Sequence, residues 1–175
     1  MWFFRTGVVV LLLAAAGCGF RPMYGGAGDP EDVLGELSEI KVAVIADRSG
    51  QQMRNALMDL LTPRGVPATP RYLLEVDLDE VISEVAVERT GLATRANLSV
   101  EAQFKLVDNR SGVVVLSDRS FATSSYNLLD TAQFSTLTSE NDARRRTIDR
   151  IAREIRTRLG VHFASDHAAV ADSLR

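Results

Sequence analysis

The sequence predicts an α/β (α+β) two-layer sandwich, with two helices packed on one face of a mostly antiparallel four-stranded sheet. Three observations carry that expectation. Long stretches such as "ANLSVEAQFKLVD" alternate apolar and polar residues with the period of half-buried strands. Turn-forming "TG" and "NRSG" separate these stretches, as in a meander. Apolar residues recur at helical spacing on either side of the meander, at Met53, Leu57, Leu60 and Leu61 and again at Ile148, Ile151, Ala152, Ile155 and Leu159.

The elements follow in order. Phe20 to Leu34 holds Pro22, Gly25, Gly26, Gly28 and Pro30, and reads as a tether or extended lead-in. "IKVAVI", Ile40 to Ile45, is rich in β-branched residues and makes a first strand. "DRSGQQMRNALMDLL" makes a helix, with Asp47 or Ser49 as candidate caps, and Pro63, Gly65, Pro67 and Pro70 stop it.

In "RYLLEVDLDEVISEVAVER", Tyr72, Leu74, Val76 and Leu78 share one face. The apolar positions then change parity to Val81, Val85 and Val87, which predicts a bulge or bend near Asp79 or Glu80. After Gly91 the next strand places Leu98, Val100, Ala102, Phe104 and Leu106 inward and Ser99, Glu101, Gln103 and Lys105 outward. "VVVLSDRSFATSSYN" completes the meander.

The last helix, from "TAQFSTLTSENDARRR" onward, carries acid-then-arginine pairs at i,i+4: Glu140–Arg144, Asp142–Arg146, Asp149–Arg153 and Glu154–Arg158. Those pairs read its arginines as a salt-bridged, solvated face, with Arg146, Arg150 and Arg153 opposite the apolar stripe. Gly160 closes the helix, and Ala164 to Arg175 reads as a flexible tail.

The amino terminus bears on location. Val8 to Ala16 is apolar without a break, with Arg5 the one charge before it. A membrane span needs about 20 apolar residues and a secretory leader core about 7–15, so this run suits a leader. It ends in Ala14, Ala15, Ala16 and Gly17 before Cys18, the only cysteine, which therefore has no internal disulfide partner. Leu13 to Cys18 resembles a bacterial lipobox. The resemblance implies removal of residues 1–17, a diacylglycerol on the Cys18 sulfur and an acyl chain such as palmitate on its new amino group. One chain anchors reversibly, whereas two or three on one residue anchor durably. Gly19 stands where an aspartate would favour inner-membrane retention, so the expected location is the periplasmic face of the outer membrane. The expected organisation is a leader (1–17), a lipidated tether (18–37), one domain (38–163) and a tail (164–175).

Composition narrows the function classes. The formal net charge of −3, with 23 acids against 20 basic residues, argues against a nucleic-acid partner. The two histidines, His162 and His167, both follow the last apolar stripe, and no phosphate loop, paired-cysteine spacing or nucleophile elbow occurs. Asp77, Asp79 and Glu80 cluster, but alternation sends the first two to solvent. No enzyme activity, cofactor or metal is expected beyond the covalent lipid on Cys18. Arg89 and Arg95 differ from the helical arginines because they flank the turn "TGLAT". With Thr90 and Thr94 they offer guanidinium forks and hydroxyl donors to a phosphate.

Four blocks carry a family resemblance: "GCGFRPMYG", "RSGQQMRNAL", "RTGLATRANLSVEAQFKLVD", and "SYN" followed by "ENDARRRTIDRIAREIRTRL". In that order they resemble the lipopolysaccharide-assembly lipoprotein family LptE in its alphaproteobacterial form. The resemblance implies a two-helix, four-stranded fold, a place as plug inside the LptD β-barrel, and contact with lipopolysaccharide through basic residues at one end of the sheet. Arg89 matches one such position. The second, just before the last helix, falls at Thr138 or Ser139, both neutral, which leaves Arg95 as its substitute. The rival reading is an auxiliary lipoprotein of an ABC-type lipid transport system, which also joins a lipobox to a small α/β domain.

Overall fold

A computed structural model describes residues 30–87, 93–128 and 133–173. Its elements are α1 (Pro30–Ser38), β1 (Ile40–Val42), α2 (Asp47–Leu61), β2 (Tyr72–Val87), β3 (Ala93–Asp108), β4 (Val114–Asn127) and α3 (Gln133–Ser173). The strands form one sheet in the order β1-β2-β3-β4. β1 runs parallel to β2, a pairing that requires a crossover, and α2 supplies it. The other two pairings are antiparallel. The α+β, mostly antiparallel architecture is therefore as the alternation predicts.

α2 spans the stretch the sequence assigns to it, with Met53, Leu57 and Leu61 buried one turn apart. Its start is not capped as expected. Ala46 is the N-cap, without a side-chain hydrogen bond, and Asp47 enters the helix at φ 65°. Ser49 is used elsewhere, donating its hydroxyl to Glu80 Oε2 at 2.9 Å. Gly50 lies against the preceding loop so closely that a Cβ there would sit 2.7 Å from Ile45 Cγ2 and 2.9 Å from its carbonyl carbon.

Every second residue of β3 from Ala96 to Leu106 is buried, and Phe104 is among the largest side chains wholly inside. The core closes against Ile148, Ile151, Ala152, Ile155, Leu159 and Phe163 of α3. The Phe163 ring packs 5.2 Å from that of Tyr72.

Three expectations are corrected. β2 keeps one parity through Asp79 and Glu80, and its register shifts lie further on, between Glu84 and Val87. The parity change therefore leaves Val81 exposed on the open face, and Val85 exposed where the register shifts.

The lead-in is helical from Pro30, which makes a third helix. Val33 and Leu37, one turn apart, turn toward the core, and Pro30 suits a first helical turn. The glycines and prolines upstream mask that short signal. Finally, α3 runs through Gly160 to Ser173, beyond the expected stop. A helical glycine costs about 1 kcal/mol, and contacts further along offset it: Phe163 on Tyr72, and His167 Nε2 3.4 Å from Glu36 Oε1. The folded body thus extends past both ends of 38–163.

Candidate functional site

The turn joining β2 to β3 defines one end of the sheet. Arg89 and Thr90 lie outside the described residues, as does Cys18. Thr94 is the second residue of β3. Arg95 is exposed and stands in register between Ala86 and Asn127. It lines a shallow cleft of about 260 Å³ with Ser125, Asn127, Ser139 and Arg146, closed by Tyr126 and Asp142. Two guanidinium groups from separate elements thus border one opening. Hydroxyl and amide groups stand beside them, and that donor set suits a phosphate.

Arg146 is the residue sequence reasoning missed. It belongs to the arginine-rich face read as merely solvated, and it does pair with Asp142 as expected. Asp142 is shared, since Arg145 Nη2 also reaches it at 2.6 Å. The connection could have been seen from the short link between Asn127 and Gln133, which brings the start of α3 back to the end of the sheet that holds Arg95.

An ionic strut fixes the rotation of α3 beneath this cleft. Glu80 points inward from β2 and accepts Arg144 Nε at 3.0 Å and Arg144 Nη2 at 2.6 Å. The same Nη2 donates to Glu140 Oε1 at 2.8 Å. Burial pushes the Glu80 carboxyl up, but the hydrogen bonds from Arg144 and Ser49 outweigh it and hold the group below its usual range. The same bonds hold Arg144 more firmly protonated than an ordinary arginine. Arg144 and Arg146 lie on opposite flanks of α3, so anchoring the first inward turns the second toward the cleft. Burial also raises the Tyr126 phenol, with the Glu140 carboxylate adding to it.

A second set of bonds ties α3 to β4 along its length. Thr147 donates to Ser124 at 2.8 Å, Ser120 to Glu154 at 2.9 Å, and Arg158 to Asp118 at 2.5 Å. Of the four expected helical pairs, Asp149–Arg153 does not form among the described residues, while the other three do.

A larger furrow of about 540 Å³ crosses the open face of the sheet. It sets Glu75 beside Lys105 and Asp77 near Arg119, so acids and cations alternate and no anion site results.

Residues 37–159 match the family model LptE, described as "Lipopolysaccharide-assembly". The chain belongs to the LptE family. LptE proteins are non-enzymatic lipoproteins of lipopolysaccharide assembly. Solved structures share the fold. A putative lipoprotein from Caulobacter crescentus is similar at a TM-score of 0.64 and 20% identity, over 77% of this chain and 97% of that one. A minor lipoprotein from Acinetobacter baumannii gives 0.54 and 18%, over 70% and 91%. Uncharacterized lipoprotein B from Nitrosomonas europaea gives 0.52 and 11%, over 67% and 77%. No curated protein matches by sequence. Among the described residues, no helix is long and apolar enough to cross a membrane.

Proposed function

We propose that this LptE-family chain is an outer-membrane lipoprotein, acylated at Cys18, that plugs an LptD-type β-barrel and hands lipopolysaccharide to it. The observation that carries the ligand assignment is the convergence of Arg95 and Arg146 on one cleft at the hairpin end. Lipid A presents phosphates on an amphiphile, and paired guanidinium forks with neighbouring hydroxyls are a chemical match for them. Arg89, Thr90 and Thr94 flank the same turn in sequence and extend the donor set. Lipids on Cys18 hold the body at the membrane, as two or more chains on one residue would. The polar open face, with Glu75, Asp77, Gln103, Lys105 and Arg119, suits the polar lumen of a barrel.

The test is lipopolysaccharide binding by R95E/R146E, with dephosphorylated lipopolysaccharide as the control ligand. A charge-assisted hydrogen bond contributes about 1.5–3 kcal/mol, and an open cleft keeps each near the lower figure. The double variant should therefore lose about a hundredfold in affinity while the wild type discriminates against the dephosphorylated ligand. Asp142 retains Arg145 in that variant, so folding should be unaffected. Equal binding by wild type and double variant would discard the cleft as the ligand site.

A further inference from the structure

The far edge of the sheet is open and roofed by positive charge, and its backbone groups can be assigned one by one. The Ala43 amide donates to the Leu74 carbonyl at 2.9 Å, so even-numbered residues of β2 face β1 and odd-numbered ones face β3. Leu74 pairs with Leu106, and Leu106 with Leu116, so the alternation carries across the sheet. In β4 the even-numbered residues bond to β3, and Phe121, Thr123, Ser125 and Asn127 aim their amides and carbonyls outward. Arg119 confirms the parity, because its amide turns to the Asp118 carboxylate at 2.8 Å. Among the described residues nothing pairs with the outward groups beyond it.

Edge strands in native proteins are blunted by charge, proline, bulges or shortness. The stretch Ser120–Asn127, "SFATSSYN", has no charge, glycine or proline, and its register with β3 is unbroken. It is also held rigid. Ser99–Thr123 and Ser125–Asn97 hydrogen bonds brace its open face, and Thr147 and Glu154 of α3 brace the other. α3 lies along β4 with Thr147, Glu154 and Arg158 turned down toward it. At about 100° per residue, Arg146, Arg150 and Arg153 fall on the flank beyond. All three are exposed, and neither Arg150 nor Arg153 makes an ion pair among the described residues.

We infer that the β4 edge accepts an extended segment of a protein partner, added antiparallel or parallel as a fifth strand, with acidic residues at alternate positions facing Arg146 and Arg150. Charge complementarity selects the acids. Sterics select a bare strand over a second copy of this chain: paired strands lie about 4.8 Å apart, whereas packed helices need about 8–10 Å. Two β4 edges joined together would press their own α3 helices into each other. The strand edge shares Arg146, Ser125 and Asn127 with the cleft, whereas Arg150 lies outside it and Arg95 belongs to the cleft alone, so substitutions at those two residues separate this inference from the lipid reading.

The experiment is amide hydrogen exchange at residue resolution on the full acylated chain in detergent micelles. The probe is a capped peptide of about ten residues alternating glutamate and threonine, long enough to span the edge. Exchange at Phe121, Thr123 and Ser125 should slow by about tenfold or more, while Ala122 and Ser124, already in the ladder, stay unchanged. Thr123→Pro removes an outward backbone donor and the exposed hydroxyl bond to Ser99, but no ladder bond to β3, and should keep the fold while abolishing the protection. Arg150→Glu should weaken peptide binding about tenfold, whereas Arg95→Glu should leave it intact and affect lipopolysaccharide alone. Absence of slowing, slowing at even and odd positions alike, or equal protection by a lysine–threonine peptide would overturn the inference. So would protection that appears without peptide and grows with protein concentration, because the occupant would then be a second copy.

Discussion

Replacing Arg144 with methionine tests whether the Glu80–Arg144–Glu140 strut holds α3 to β2 near the hairpin end. The substitution keeps most of the volume and removes the charge. It deletes the paired bonds to Glu80, at 2.6–3.1 Å, and the bond to Glu140 at 2.8 Å, leaving two partly buried carboxylates facing each other. Breaking a buried pair from one side costs about 3–5 kcal/mol. These side chains retain 15–24% exposure, so the lower end applies, about 3 kcal/mol. For a domain of this size that is a fall of about 6–12 °C in Tm.

Thermal and urea unfolding at pH 7, followed by circular dichroism, should show the loss. The pH dependence carries a second signature. The Glu80 pKa is depressed in the folded protein, so its contribution is present above the unfolded value of 4.5 and is lost as pH falls through the folded value. The gap between wild type and Arg144→Met should therefore be full at pH 7 and shrink below pH 4.5. A loss under about 1 kcal/mol, the scale of a surface pair, or a gap that does not narrow in acid, would refute the strut.

Further expectations follow from packing. Gly50→Ala gains helix propensity of up to about 1 kcal/mol, yet its Cβ would meet Ile45 backbone at 2.9–3.0 Å, so the variant should lose about 1–2 kcal/mol in urea titration. Phe104→Ala should cost about 3–5 kcal/mol by the same measurement, because the ring lies wholly inside the core. Arg158→Ala removes a half-exposed pair with Asp118 and Glu154 and should cost about 1 kcal/mol or less, a difference that high salt erases.

The parts of the fold legible in the sequence are those with an unmixed period. β3 reads correctly residue by residue because Leu98 to Leu106 alternates without interruption, and α2 reads to its true ends because Pro63 stops a clear stripe. β2 misleads because Val81 is apolar on an uncovered face, so period alone places the bulge at Asp79 or Glu80, ahead of the register shift that leaves Val85 exposed. α1 and the end of α3 were hidden for a common reason. Each is stabilised by the other, through Leu37, Phe163, Glu36 and His167, and no local pattern records such a contact. The site was half legible. Arg95 stands out beside a turn, whereas Arg146 is one arginine among many on a salt-bridged helix until the fold carries it to the same cleft.

The central claim, that this LptE-family chain serves lipopolysaccharide assembly at a barrel, is tested most directly by isolating the full-length protein from native membranes. Its partner is then identified by mass spectrometry. The expected result is a stoichiometric LptD-type β-barrel in the outer-membrane fraction, with bound lipopolysaccharide reduced in R95E/R146E. Recovery instead with an inner-membrane permease complex, and no barrel, would contradict it.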